Sequence, residues 1–463
     1  MRALNPRFPR FSRTALAAAL IALGGCAVHE PPTVVNMPLP EAWREAPLAT
    51  EAQVPQDWWR GFGSPRLEAL VQEALAGSSD LRTAAQRVRQ ADIALQTAGA
   101  AQLPGVSVSA GSSANRSEGT STRKSTSVSL SVGYEVDLWG RLAAGEQGAR
   151  AALEASRYDL ETARITLTAS VATTYFQWLA LRERVAIARQ SLETAERVLR
   201  VVQARARNGV ATPLEVSQQT TTVLQQRTAL APLEEQVRQT ASALALLLGR
   251  EPVGFDVGGD EGLMALDAPA VAPGLPSALL ARRPDLRAAE ARLAAADADV
   301  AAARAALLPS IALSAGGGVG SAALLSLAGA TGSASLAASL AQSLFDGGRK
   351  ELQVESVRSQ REVLVEAYAS AVRRALKEVQ DGLGNAATSE RQEGTQHEVV
   401  VQAQRSLQLA ELRYREGVDT LLTVLDAQRT LFSAQDALAQ TRQARLTAAV
   451  DLYRVLGGGW RPE

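Results

Sequence analysis

The sequence predicts a mixed α and β membrane protein built from two copies of one unit, each a long helical hairpin joined to a pair of strands. Three observations carry this. Residues 79–111 align without gaps on 284–316, 205 positions later, and 15 of the 33 residues are identical, including Asp80/Asp285, Arg82/Arg287 and Pro104/Pro309. Residues 149–208 hold no glycine or proline across 60 positions, so one helix of about 90 Å fits at 1.5 Å per residue. Between the helical stretches the apolar period falls to two, the spacing of a strand.

Taken in order, the chain opens with Arg2, Arg7, Arg10 and Arg13 ahead of an apolar run, Ala15–Leu23, that ends in LeuGlyGlyCys. The run is too short to span as a stable helix and reads as a signal peptide over residues 1–25. It resembles a bacterial lipobox, which implies cleavage before Cys26, the one cysteine of the chain, and a covalent lipid there. Residues 26–63 are proline-rich and read as an extended arm. A first repeat follows over 64–248. Its opening helix turns Leu67, Leu70, Val71 and Leu75 to one face, and a second helix of about Asp80–Ala101 stops before Pro104.

Strands are expected over about 105–137. Val106, Val108 and Ala110 alternate with Ser107 and Ser109, and after a polar turn Val128, Leu130, Val132 and Tyr134 alternate with small residues. The pattern fits lipid-facing strands of a membrane barrel, or a soluble hairpin with one wet face. The second copy, over about 310–345, repeats it and favours the barrel. Four strands cannot close a barrel and open edges are not tolerated in lipid, so copies of the chain must share one.

After AspLeuTrpGlyArg (137–141), echoed by PheAspGlyGlyArg (345–349), the long helix begins. Asp137, Trp139 and Gly140, with Asp346, Gly347 and Gly348, mark the strand-to-helix junctions; Trp139 reads as an interfacial anchor or as core packing. Leu153, Leu160, Leu167, Leu181 and Ala188 lie on one seven-residue series and Val185, Leu192, Leu199 and Ala206 on another, which is coiled-coil spacing. Gly209 ends this helix as Gly417 ends its counterpart 208 residues on, so the hairpin turns fall at 208–213 and 416–420. The returning helix from Pro213 is expected to kink at Pro232. A Gly/Pro-rich connector covers 249–283 and the second repeat 284–456. Gly382, Gly384 and Gly394 are expected to interrupt its long helix. A tail of 457–463 closes the chain.

Composition excludes several functions. Lys+Arg and Asp+Glu are 48 each, so no net basic field points to nucleic acid. One cysteine and two histidines leave little for a zinc site, and there is no phosphate-binding GlyLysSer/Thr loop. Aromatics are 4% and much of the 46% apolar content is alanine, which suits thin, closely packed helices. No constellation for catalysis, cofactor or metal is expected. His397 and the carboxylates of 149–208 read as solvated helix residues. A non-pore coiled-coil scaffold would not need the paired period-two segments.

With these elements placed, the chain resembles the outer-membrane efflux protein family of TolC and OprM, in its lipoprotein branch. The most specific stretches are 134–141, 282–290, 413–431 and 452–460. The resemblance implies a homotrimer whose protomers each give four strands to one 12-stranded outer-membrane barrel, continuous with a long periplasmic helical coiled-coil barrel. It implies a passive exit duct for small toxic compounds, with a periplasmic adaptor and an inner-membrane RND-type pump as partners and outer-membrane lipid around it; type I protein-secretion and metal-efflux ducts share the architecture. It places a constriction at Leu422, Asp426 and Arg429. Tyr414 and Glu215 match positions that latch neighbouring tips. Asp419 stands where the TolC pattern has an arginine, and Thr423 stands at one of its acidic-ring positions, so the OprM-like gate is the better match.

Overall fold

The computed structural model describes residues 33, 35, 37–44, 54–116, 118, 121–271 and 274–461. The signal peptide and Cys26 lie outside the described residues. The elements in order are α1 (Pro65–Gly77), α2 (Ser79–Ala100), β1 (Gly105–Asn115), β2 (Arg123–Val136), α3 (Arg141–Arg207) and α4 (Pro213–Leu247). The second repeat gives α5 (Leu279–Arg282), α6 (Pro284–Ala305), β3 (Ser310–Ser321), β4 (Thr331–Ala341), α7 (Arg349–Arg415) and α8 (Leu421–Val455). The duplication extends to length. Helices α3 and α7 are 67 residues each, α4 and α8 are 35, and α2 and α6 are 22. Among the described residues no helix is long and apolar enough to cross a membrane.

The chain divides into two compact units. The first comprises Arg87–Arg157, Ala288–Ala369 and the described part of Met1–Asn36. Its centre is one antiparallel sheet of order β1-β2-β3-β4. Strands from the two repeats meet at the β2–β3 pair, where Val128 faces Val319 and Val136 faces Ile311. The register confirms the period-two reading. Val108 lies opposite Leu130 in β1–β2, and Ile311 opposite Leu340 in β3–β4, so the alternating apolar residues of all four strands share one face. Val106, Val108, Leu130, Leu336 and Leu340 are exposed there. On the other face serines bond across the ladder, Ser107 to Ser131 at 2.7 Å and Ser109 to Ser129 at 2.8 Å. Among the described residues of one chain the outer edges of β1 and β4 are unpaired.

The strand-to-helix junctions are built by aspartates. Asp137 accepts the backbone N–H groups of Leu142 (3.0 Å) and Ala143 (2.8 Å), satisfying orphan donors at the start of α3. Asp346 accepts those of Gly348, Arg349 and Lys350 at 3.0–3.3 Å before α7. Gly140, Gly347 and Gly348 take φ of +76°, +71° and +82° to turn the chain into the helices. Trp139 is half-buried, and its indole N–H donates to the Pro309 carbonyl at 2.6 Å.

The second unit comprises Met37–Gln86, Tyr158–Arg287 and Ser370–Glu463. Its core gathers aromatics from the arm and from helices α3 and α8. Trp58 stacks on Tyr453 at 5.2 Å between centroids, and Phe62 packs against Phe176 at 5.0 Å, over Leu67, Leu70, Val71 and Ala74 of α1. This corrects the reading of 26–63 as extended throughout. Trp58–Phe62 is a 3-10 helix with Trp58 and Phe62 fully buried, because burying large aromatics outweighs the local proline bias. Trp43 is also buried, with its indole N–H on the Gly274 carbonyl at 2.9 Å.

Two further expectations are corrected. Helix α7 runs unbroken through Gly382, Gly384 and Gly394. A glycine in a helix costs only about 1 kcal/mol, which a 67-residue helix absorbs; at Gly382 an added Cβ would lie in ordinary contact, 3.5 Å from a Leu452 methyl of α8. Helix α4 continues through Pro232, so the proline expected to kink it does not end it. Toward the end of α3 the buried seam is Ser191, Ala195, Val198 and Val202, one residue away from the expected Leu192, Leu199 and Ala206, which are half-buried. Small side chains at the seam let the helices approach more closely than leucine does.

Candidate functional site at the paired hairpin turns

The two turns have one backbone. Arg205 O accepts Val210 N at 2.9 Å in the first, and Arg413 O accepts Val418 N at 2.9 Å in the second; each closes a turn around a glycine at φ +73°, Gly209 or Gly417. This bond from the third residue past the helix back into its last turn needs the left-handed conformation that glycine adopts without strain. Thr212 and Thr420 follow as N-caps with nearly identical dihedrals, −89°/157° and −91°/158°.

The chemistry on this backbone differs between copies. In the first, Thr212 and Glu215 form a capping box: the Thr212 hydroxyl accepts Glu215 N at 3.3 Å and the Glu215 carboxylate accepts Thr212 N at 2.7 Å. In the second, Thr423 occupies the position of Glu215 and Thr420 makes no side-chain cap. Asp419 takes over. It accepts the Thr423 hydroxyl (2.8 Å), Thr420 N (2.8 Å) and Arg413 Nε (3.2 Å). These hydrogen bonds, Thr423 foremost, hold its carboxyl below the usual aspartate range.

Three latch candidates, Glu215, Asp419 and Thr423, therefore have partners inside the protomer, whereas the Tyr414 hydroxyl has none among the described residues. Tyr414 is buried, and burial, then the negative charge of Glu215, pushes its phenol up. Arg205 of α3 lies over the Tyr414 ring at 4.5 Å and donates to the Tyr414 carbonyl at 2.7 Å. Sequence reasoning missed Arg205. A signal was present: Arg205 and Arg413 each stand four residues before their turn glycine, and a cation in the last turn satisfies free helix carbonyls.

The constriction candidates lie together on α8. Leu422, Thr423, Asp426, Ala427 and Thr430 line an open groove with Ser406 and Ala410 of α7. Leu422 is 67% exposed, and Asp426 pairs with Arg429 at 2.5 Å, their side chains 64% and 81% exposed. Beneath them is an apolar core of Val198, Val202, Leu407, Tyr414, Leu421, Val424 and Leu431. One polar residue interrupts its helical spacing. Gln428 is fully buried, and neither amide atom has a partner. Farther from the turns, Arg184 of α3 binds Asp436 of α8 at 2.6 Å, and Glu393 of α7 is held by Arg442 and Arg445 at 2.9 and 3.0 Å. Among the described residues no cluster of His, Cys, Asp and Glu fits a metal ion.

A family model described as outer membrane efflux protein matches residues 70–250 and 275–458. The chain is 40% identical to the pyoverdine export outer membrane protein OpmQ of Pseudomonas aeruginosa, with 97% of each chain covered. It is 34% identical to the toluene efflux pump outer membrane protein TtgC of Pseudomonas putida, over 97% of this chain and 96% of the other. Among solved structures it superposes on CusC with a TM-score of 0.84 at 27% identity, covering 93% of this chain and all of the other. The open state of the MtrE outer membrane channel of Neisseria gonorrhoeae matches with a TM-score of 0.83 at 28% identity, covering 94% and 98%.

Proposed function

The chain belongs to the outer membrane efflux protein family, whose members are outer-membrane channels, and we propose that three copies close one 12-stranded barrel and form a passive exit duct gated at the hairpin turns. The sheet carries this reading. Four strands with an apolar outer face and two unpaired edges cannot stand in lipid alone, and three such sheets make a closed barrel within the known size range. The energy for export then comes from an inner-membrane RND-type pump reached through a periplasmic adaptor. Leu422 and Asp426, exposed one turn apart on α8, supply the apolar and acidic rings of the closed end. Residues 1–25 are removed and Cys26 carries lipid, which at about 0.8 kcal/mol per buried CH₂ anchors the arm.

The cargo is small organic compounds. The relatives named for pyoverdine export and toluene efflux match along nearly the whole chain, which supports this class. The test has two parts. The detergent-corrected mass of protein extracted from outer membranes should equal three protomers; a monomer sinks the shared barrel. In a strain lacking its own channel, the chain should restore export of pyoverdine or tolerance of toluene; failure with both, in a correctly assembled trimer, sinks the cargo class.

A further inference from the structure

We propose that Thr33 and Asp297 form a clasp that seats the N-terminal arm on α6 and so fixes where the acylated end of the chain enters the outer membrane. The second half rests on the lipidation reading above. Thr33 uses both its donors on one carboxylate: its backbone N–H meets Asp297 Oδ2 at 2.9 Å and its hydroxyl meets Oδ1 at 2.6 Å. Asp297 has a cation beside it as well as the arm. Its side chain is 13% exposed, and Arg361 of α7 approaches Oδ1 at 3.9 Å. A bidentate contact to a carboxylate at a half-buried site is a strong tie for this end of the arm.

The duplication isolates the purpose of this aspartate. Its counterpart 205 residues earlier is Asp92 on α2, and among the described residues that carboxylate accepts the Gln96 amide one turn along its own helix, at 2.8 Å. Of the two equivalent aspartates, Asp297 is the one that the described part of the arm engages. Reach gives the clasp its consequence. Seven residues separate Thr33 from Cys26, a span of about 25 Å at most. From Asp297, α6 runs eight residues to Ala305, about 12 Å, and β3 begins five residues later. The tether therefore confines the acyl chains to the membrane edge beside the protomer's own β3.

The clasp is tested by hydrogen exchange at the Thr33 amide in the full-length protein, with mass spectrometry of the N-terminal peptide reporting acylation separately. In the unsubstituted protein the amide should exchange at least tenfold more slowly than a free one. Asp297→Ala should abolish that protection, and Asp92→Ala should leave it intact. Free exchange in the unsubstituted protein, or protection surviving Asp297→Ala, overturns the clasp. If Asp297→Ala does not assemble, Thr33→Pro removes the N–H and hydroxyl while leaving the Asp297–Arg361 contact. Tryptic cleavage at Arg44 should then accelerate, and an unchanged rate overturns the clasp. An unacylated Cys26 with a protected Thr33 sinks lipidation and the entry point but leaves the clasp standing.

Discussion

The guanidinium of Arg205 lies 4.5 Å over the ring of Tyr414 and donates at 2.7 Å to the carbonyl of that same residue. One side chain thus ties the end of α3 to the end of α7, satisfying a C-terminal helix carbonyl and a π face at once. Arg205→Ala should free the two turns from each other and lower local stability by about 1–3 kcal/mol. Single-channel conductance in planar bilayers should rise. Arg205→Lys should rescue little, because an ammonium cannot stack and fork in the same way. Conductance unchanged in the alanine variant would remove the tie from the gate.

Asp426→Ala addresses charge rather than stability. The pair with Arg429 is exposed and three residues apart, worth a few tenths of a kcal/mol at most, so thermal unfolding should not move. An acidic ring favours cations, so the reversal potential under a salt gradient should shift toward lower cation selectivity. If the potential is the same, Asp426 does not face the permeation path.

Gln428 offers a gain. Its buried amide has no partner on either atom, and an unmatched buried polar group costs about 1–3 kcal/mol. Gln428→Leu continues the apolar spacing of Val424 and Leu431 and should raise the melting temperature. A lower melting temperature would mean that the amide is matched in the assembled protein.

Acid should loosen the second turn. Asp419 has its pKa lowered by Thr423, Thr420 N and Arg413. A depressed carboxyl contributes fully above its unfolded value of about 3.9, and the contribution is lost as pH falls through the lower folded value. Hydrogen exchange at 418–424 should therefore be steady down to about pH 4–5 and accelerate below it, corrected for intrinsic rates. Asp419→Asn should flatten that dependence; an unaltered profile would place the acid sensitivity elsewhere.

Asp137→Ala removes the acceptor for two N–H groups at the start of α3 and should cost about 0.5–2 kcal/mol. Urea unfolding followed by far-UV circular dichroism measures it. No change would mean that water replaces the carboxylate at no cost.

What the sequence made legible was set by its punctuation. Gly209, Gly417, Pro104 and Pro309 announce helix ends through backbone geometry, which does not depend on neighbours, and the strand faces follow from a strict alternation. The seam through Ser191 and Ala195 was not legible, because small residues carry almost no hydropathy signal and become core only when another helix presses against them. The three glycines of α7 misled because a local preference of only about 1 kcal/mol each gives way to the long helix on either side. At the gate, Asp419 escaped notice as a cap because it stands one residue before the usual capping position, where Ala211 of the first copy has no polar atom to offer.

The equal lengths of the two hairpins make them a matched pair of rulers. Removing one heptad from both arms of a single hairpin would withdraw its turn by about 10.5 Å, and Arg205 would then face a level of α7 that holds no tyrosine. The sequence tolerates divergence almost everywhere else between its halves, including the caps themselves. Insertions and deletions in these helices should therefore occur in pairs, one in each half and of the same size.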